Sequence, residues 1–215
     1  MRIGVVIACK GEFVEFIKLF PKYKTKKFGE FCVYIFSYAG KKLYCVKCGP
    51  TRINASILTQ LLIDKFNVKL IINFGTCGGL KKRTKISSIY AVSRCTFWDI
   101  KPGFLDKGSF DLSGSLLDFV VKKFSVKKAF LVTGDSFVDE NNKDYVCKNF
   151  SPDLCDMEGT AVVYAADKNN VKSVLFKVVS DDGNGQAWDQ NVTSVSQILA
   201  KFIVDFLKED LKRFI

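Results

Sequence analysis

The sequence predicts an α/β fold, a three-layer α/β/α sandwich around a mixed, largely parallel central sheet. Three observations carry that expectation. Residues 2–8 read as a continuous, apolar, β-branched buried strand, 68–74 as another buried strand and 171–179 as a strand rich in valine. Segments of helical period lie between and after them. One alternating hairpin interrupts an otherwise regular strand–helix succession, the pattern of a layered α/β architecture.

In chain order, residues 2–8 form the first strand, and 12–20 a short helix stopped by Pro21. Residues 31–37 and 42–48 alternate about Ala39-Gly40, which predicts the hairpin. Thr51 is placed to cap a helix from Arg52 to Phe66. Ile53, Ile57, Leu58, Leu61 and Leu62 form its apolar stripe. Residues 68–74 are a buried strand, with Gly75-Thr76-Cys77-Gly78-Gly79 as the turn that follows. One or two strands are expected at 86–98, a helix at 112–124, a strand at 128–133 and a short helix at 144–148. Residues 158–168 read as a helix in which Ala161, Ala165 and Ala166 permit close packing. After the strand at 171–179, a helix at 193–214 buries Val195, Ile198, Leu199, Phe202, Ile203, Phe206 and Leu207. No repeat, linker or low-complexity tract intervenes, so residues 1–215 are expected to form one domain.

Composition narrows the function. With 215 residues and 48% hydrophobic content, the chain can bury one substantial core. No apolar run approaches the roughly 20 residues of a membrane span. The N-terminus reads as a strand and lacks a signal-peptide pattern, so a cytoplasmic location is expected. The eight cysteines are expected to be buried reduced thiols. Cys45-Val46-Lys47-Cys48 has no second CxxC or histidine to complete a metal site. The net charge is +11, with lysines clustered at 22–27 and 81–85. These clusters are read as solvated loops, and no nucleic-acid-binding motif accompanies them.

The most restrictive number is zero histidines. It excludes Ser-His-Asp triads, Cys-His dyads and HExxH metalloenzymes together. A hydrolase built from this chain must move protons with carboxylates, lysine, tyrosine or cysteine. Ligands of open α/β sheets bind outside the carboxyl ends of strands. Those ends carry Glu12, Asp156, Glu158 and Asp181. The glycine-rich segment 75–79 fits neither the dinucleotide nor the phosphate-loop pattern.

Taken together, six segments resemble the nucleoside phosphorylase/nucleosidase superfamily, and within it the 5′-methylthioadenosine/S-adenosylhomocysteine nucleosidases. They are Ile3-Gly4-Val5-Val6 with Glu12, Lys47-Cys48-Gly49, the run Ile71 to Leu80, Gly134-Asp135-Ser136-Phe137, the run Asp156 to Ala161, and Val179-Ser180-Asp181. The resemblance implies a nucleoside phosphorylase-like fold and hydrolysis of the N-glycosidic bond of a purine nucleoside. Asp181 falls where the family's aspartate protonates the departing adenine, so it should be a carboxylic acid in the substrate complex. Ser180 would orient it. Glu12 matches the general base that holds the attacking water, which Thr76 would help to place. Glu158 matches the ribose-binding glutamate, with Met157 against the sugar. Phe137 matches the aromatic that stacks on the base, and the main chain of Val138 would read the base edge. Cys9 and Pro50 stand near the sugar and the 5′ substituent. Lys177 replaces an arginine of bacterial relatives that helps hold the water. Asp182–Gln190, with Gly183, Asn184, Gly185 and Trp188, falls in the family's lid region. The resemblance further implies a homodimer, with no cofactor, metal, nucleic acid or membrane partner.

Alternatives stay open. A phosphorylase of the same superfamily would need cations for phosphate, for which Arg52 and Lys177 remain; where such enzymes carry arginine this chain has Asn73. Nucleosidases acting on futalosine or nucleotides share the fold. A binding protein without catalysis is the third reading.

Overall fold

The computed structural model describes residues 1–101, 103–182 and 185–215; the side chains of Gly185 and Gln186 fall outside that description. So do Gly183 and Asn184 of the expected lid. In chain order the elements are β1 (Arg2–Ile7), α1 (Lys10–Ile17), β2 (Lys24–Phe28), β3 (Phe31–Tyr38), β4 (Lys41–Lys47), α2 (Arg52–Phe66), β5 (Leu70–Gly79) and β6 (Ile89–Phe97). There follow β7 (Phe110–Asp111), α3 (Ser115–Phe124), β8 (Lys127–Thr133), α4 (Lys143–Phe150), β9 (Leu154–Asp156), α5 (Gly159–Lys168), β10 (Lys172–Asp181) and α6 (Gly185–Lys208).

The sheet is mixed. Its parallel centre runs β4–β1–β5–β10, and β6, β8 and β9 continue it with both senses of pairing. Because β9 also pairs with the end of β5, the strands β5, β10, β6, β8 and β9 close a circuit. At the other side β3 and β2 extend the sheet, and β2 is its exposed edge.

Alternation along the central strands sorts side chains into two cores, as the pleat requires. Ile3, Val5, Ile7, Ile72, Phe74 and Phe176 meet α1, α3 and α6 through Phe16, Val120, Leu199 and Phe206. Val6, Val46 and Ile71 meet α2 and α5 through Leu58, Leu62, Ala161 and Val162. Helices thus cover both faces, and the three-layer expectation holds.

Several local readings need correction. The buried face of α2 is Ala55, Leu58, Thr59 and Leu62, while Ile53 and Ile57 are 63% and 48% exposed. The helix is rotated so that the small Ala55 joins the core shared with α5. Thr51 does precede α2, but its side chain makes no capping bond. Residues 75–79 are not a turn. They stay extended because Thr76 to Gly78 pair with β10, and Gly78 and Gly79 with β9. Residues 24–28 are a strand rather than a loop. The last helix begins at Gly185, not near 193, and ends at Lys208. Its Ile198 is 42% exposed, against the expectation of burial.

Candidate active site

The carboxyl ends of β1, β5, β9 and β10 converge on a cavity of about 330 Å3. Of the residues singled out in the sequence, Cys9, Glu12, Pro50, Thr76, Phe137, Val138, Met157, Glu158 and Asp181 all line it. Ser180 and Lys177 do not; both are buried beneath the wall.

Glu12 sits in the first turn of α1, where a glutamate can reach back to the residue preceding the helix. Its Oε2 accepts from the Cys9 N–H at 3.2 Å. Its Oε1 accepts from the Thr76 N–H at 2.6 Å and the Thr76 hydroxyl at 2.8 Å. A buried carboxylate needs such donors, and Glu12 is only 4% exposed. The approach depends on Gly75, because a Cβ there would stand 2.8 Å from Oε1. That is the physical use of the first glycine in the segment.

Asp181 ends β10 and is also buried. The Ser180 hydroxyl donates to its Oδ2 at 2.8 Å and lies 3.2 Å from the Cys77 carbonyl. One hydroxyl hydrogen faces two acceptors. When Asp181 carries a proton, that proton can serve Ser180 and the serine hydrogen can serve Cys77. The arrangement therefore accommodates both states of the acid.

Glu158 precedes α5 and accepts from the Thr51 N–H at 3.1 Å. Burial, reinforced by the charge of Asp156, pushes its pKa up to about 8 from 4.5, while Lys177 opposes the rise. The folded value exceeds the unfolded one, so this group's stability contribution is complete below about 4.5 and is lost as pH rises toward about 8. The melting temperature of the wild type should therefore fall between about pH 5 and about pH 8 more steeply than that of Glu158→Gln. Parallel slopes in calorimetry would show that Glu158 binds its proton equally in the folded and unfolded chains, against a raised folded value.

Lys177, mid-strand and 2% exposed, pairs with Asp156 Oδ2 at 2.7 Å. Burial alone would lower its pKa, but Asp156, Glu158 and Glu12 outweigh burial and hold it above the ordinary value. Asp156 also accepts from the Thr133 hydroxyl at 2.6 Å and the Gly159 N–H at 2.8 Å. Sequence reasoning named Asp156 without giving it a task. The available signal was Lys177 itself, since a lysine inside an apolar strand requires an acid partner.

The loop carrying Phe137 is held by a second ion-paired group. Arg52 pairs with Asp135 at 2.6 Å and with Asp99 at 2.6 Å. Phe137 is 53% exposed at the cavity mouth. The main-chain N–H and C=O of Val138 have no hydrogen-bond partner among the described residues. The Trp188 indole N–H, from α6, donates to the Thr76 hydroxyl at 3.0 Å, a contact the sequence did not disclose.

The cysteines are all free. Burial, followed by the adjacent Glu12, raises the Cys9 thiol to about 12, and burial raises Cys45 and Cys48 as well. These three stay protonated thiols near neutral pH. Among the described residues, no cluster of three or more His, Cys, Asp or Glu side chains could hold a metal ion. A larger groove of about 540 Å3 lies by Lys172, at the opposite end of β10 from Asp181. Its acids are already engaged, Asp167 with Lys107 and Asp111 with the Ser113 N–H.

Buried acids converging on a mostly apolar cavity at the carboxyl edge of an α/β sheet define an enzyme site for a small organic ligand. The sequence profile of the phosphorylase superfamily matches residues 2–209, and the chain belongs to that superfamily. A 5′-methylthioadenosine/S-adenosylhomocysteine nucleosidase of Buchnera aphidicola is 27% identical, over 94% of this chain and 96% of its own. The fold matches the Helicobacter pylori enzyme of the same name with a TM-score of 0.92 at 21% identity, covering 98% and 99% of the two chains. It also matches a futalosine hydrolase of that organism, with a TM-score of 0.91 at 20% identity over 98% of each chain. Among the described residues no helix is long and apolar enough to cross a membrane.

Proposed function

We propose that the chain is an N-ribosyl hydrolase that releases adenine from 5′-methylthioadenosine, S-adenosylhomocysteine or both. The charge of the cavity wall carries this reading. Its described lining includes Glu12, Asp156, Glu158 and Asp181 but no lysine or arginine. A phosphate dianion has no cation to meet there. Arg52 and Lys177, the two cations a phosphorylase could have used, are ion-paired to Asp99, Asp135 and Asp156. Water is then the acceptor of the ribosyl group. The names of the relatives agree.

In this mechanism Asp181 protonates N7 of the adenine, drawing the C1′–N9 electron pair onto the base. Glu12 takes a proton from water as its oxygen joins C1′ of the oxocarbenium-like sugar. One carboxyl group acts as acid and the other as base, the division of labour of glycosidases. Glu158 and Met157 hold the ribose, Phe137 stacks on the adenine, and Val138 offers its free main-chain groups to the base edge. Lys177 acts on the water indirectly, through the field it sets with Asp156. Adenine release in phosphate-free buffer should change less than about twofold on adding phosphate. Release that requires phosphate would make the protein a phosphorylase, and no release with any nucleoside would leave a binding protein.

The reading extends to a homodimer. Ile53 and Ile57 lie one turn apart on an exposed face of α2, the helix that follows Pro50 of the cavity wall. A second copy would cover them. Sedimentation should give twice the chain mass, and a monomer at micromolar concentration would contradict it.

A further inference from the structure

The Trp188 contact has a direction. An indole N–H can only donate, so Thr76 Oγ1 accepts from Trp188 at 3.0 Å. The hydroxyl's own hydrogen is then committed to Glu12 Oε1 at 2.8 Å. Oε1 also accepts the Thr76 N–H at 2.6 Å, which fills both of its acceptor positions. Oε2 accepts the Cys9 N–H at the longer distance of 3.2 Å, so it is the more weakly held oxygen, and the Cys9 thiol also bonds this carboxyl group.

We propose that Trp188 is a positioning residue whose indole N–H sets the polarity of the Trp188–Thr76–Glu12 chain, so that Oε2 of Glu12 is the atom that takes the proton from water. The proposal rests on the nucleosidase reading above. As the water O–H bond breaks, its proton goes to Oε2 and its oxygen bonds C1′. The C1′–N9 pair leaves with adenine, whose N7 takes the proton of Asp181. The cycle closes when Glu12 returns its proton to solvent and Asp181 takes one up. Without the indole donor, the Thr76 hydroxyl is free to rotate away from Oε1, and Glu12 can accept the proton on the wrong oxygen.

The same helix start is tied to the acid side of the site. Three residues after Trp188, the Asn191 amide donates to the Ser180 carbonyl at 2.8 Å. α6 is therefore fastened at Trp188 to Thr76, the partner of Glu12, and at Asn191 to the strand bearing Asp181.

Trp188→Phe keeps an aromatic ring in place and removes the donor together with part of the indole. Its kcat for adenine release should fall about tenfold, with KM within about twofold of wild type. Thr76→Val should also be slow, and adding Trp188→Phe to it should cost nothing further. A structural role for the ring would instead lower the two backgrounds equally or move KM. The protein has two tryptophans, so the Trp188 indole N–H can be assigned in a 15N-correlated spectrum by its loss in Trp188→Phe. That signal should exchange slowly with solvent in the wild type and quickly in Thr76→Val. Wild-type kcat in Trp188→Phe, or fast exchange in the wild type, would overturn the proposal. The exchange measurement needs no substrate, so a failure of the nucleosidase reading would be seen separately, as no adenine release by the wild type.

Discussion

Asp181→Asn should lose about 10³-fold in kcat for adenine release while folding normally and binding nucleoside with little change. The amide has the shape of the carboxyl group and can still accept from Ser180 through its oxygen, so the local geometry at 2.8 Å can persist. What it lacks is an acidic proton. Adenine leaves poorly as an anion, and general acid catalysis contributes about 10²- to 10⁴-fold. Single-turnover kinetics with 5′-methylthioadenosine would separate the chemical step from binding. A variant retaining more than about a tenth of wild-type kcat would move the acid elsewhere, and Glu158, already pushed toward its neutral form, would be the next candidate.

Lys177→Met should have the largest effect on stability. The substitution removes the ion partner of Asp156 at 2.7 Å, and both side chains are 2% exposed. A buried carboxylate left without its counter-charge costs about 3–5 kcal/mol. At about 2–4 °C per kcal/mol for a chain of this size, the melting temperature should drop by roughly 10 °C. Pairing the change with Asp156→Asn removes the stranded charge, and at least half of the loss should return. The Thr133 and Gly159 donors would still constrain how the asparagine sits, which is why recovery is expected to be partial. A drop below about 3 °C for Lys177→Met alone would show that Asp156 protonates or hydrates at little cost.

The layered fold was legible because it rests on long periodic signals. Residues 3–8 are apolar throughout and 171–179 are rich in valine, a pattern that reads as buried strand. The acids were legible for a different reason. With no histidine in the chain, carboxylates placed after strands were the natural proton carriers. What escaped was rotation and pairing. Ile53 and Ile57 fit a helical stripe as well as Leu58 and Leu62 do, and only the packing of Ala55 with α5 decides which stripe faces in. Glycines 75, 78 and 79 suggest a turn when read locally. Strand partners on both sides, supplied by β10 and β9 from far along the chain, keep them extended. Trp188 meets Thr76 across 112 residues, a distance over which sequence pattern carries no information.

The exposed edge strand β2 gives the positive charge of this chain a second meaning. A free strand edge offers unpaired N–H and C=O groups to any other strand, including that of another molecule of the same protein. In the circuit of β5, β10, β6, β8 and β9 each strand has neighbours on both sides, so little backbone is on offer there. The long edge at the other side of the sheet is Lys-Thr-Lys-Lys-Phe, exposed along almost its whole length. Two such edges brought side by side would set lysine against lysine in a growing stack. The cluster that first read as a solvated loop is thus also a guard against self-templated aggregation, and neutralising Lys24, Lys26 and Lys27 would trade charge for a sticky seam.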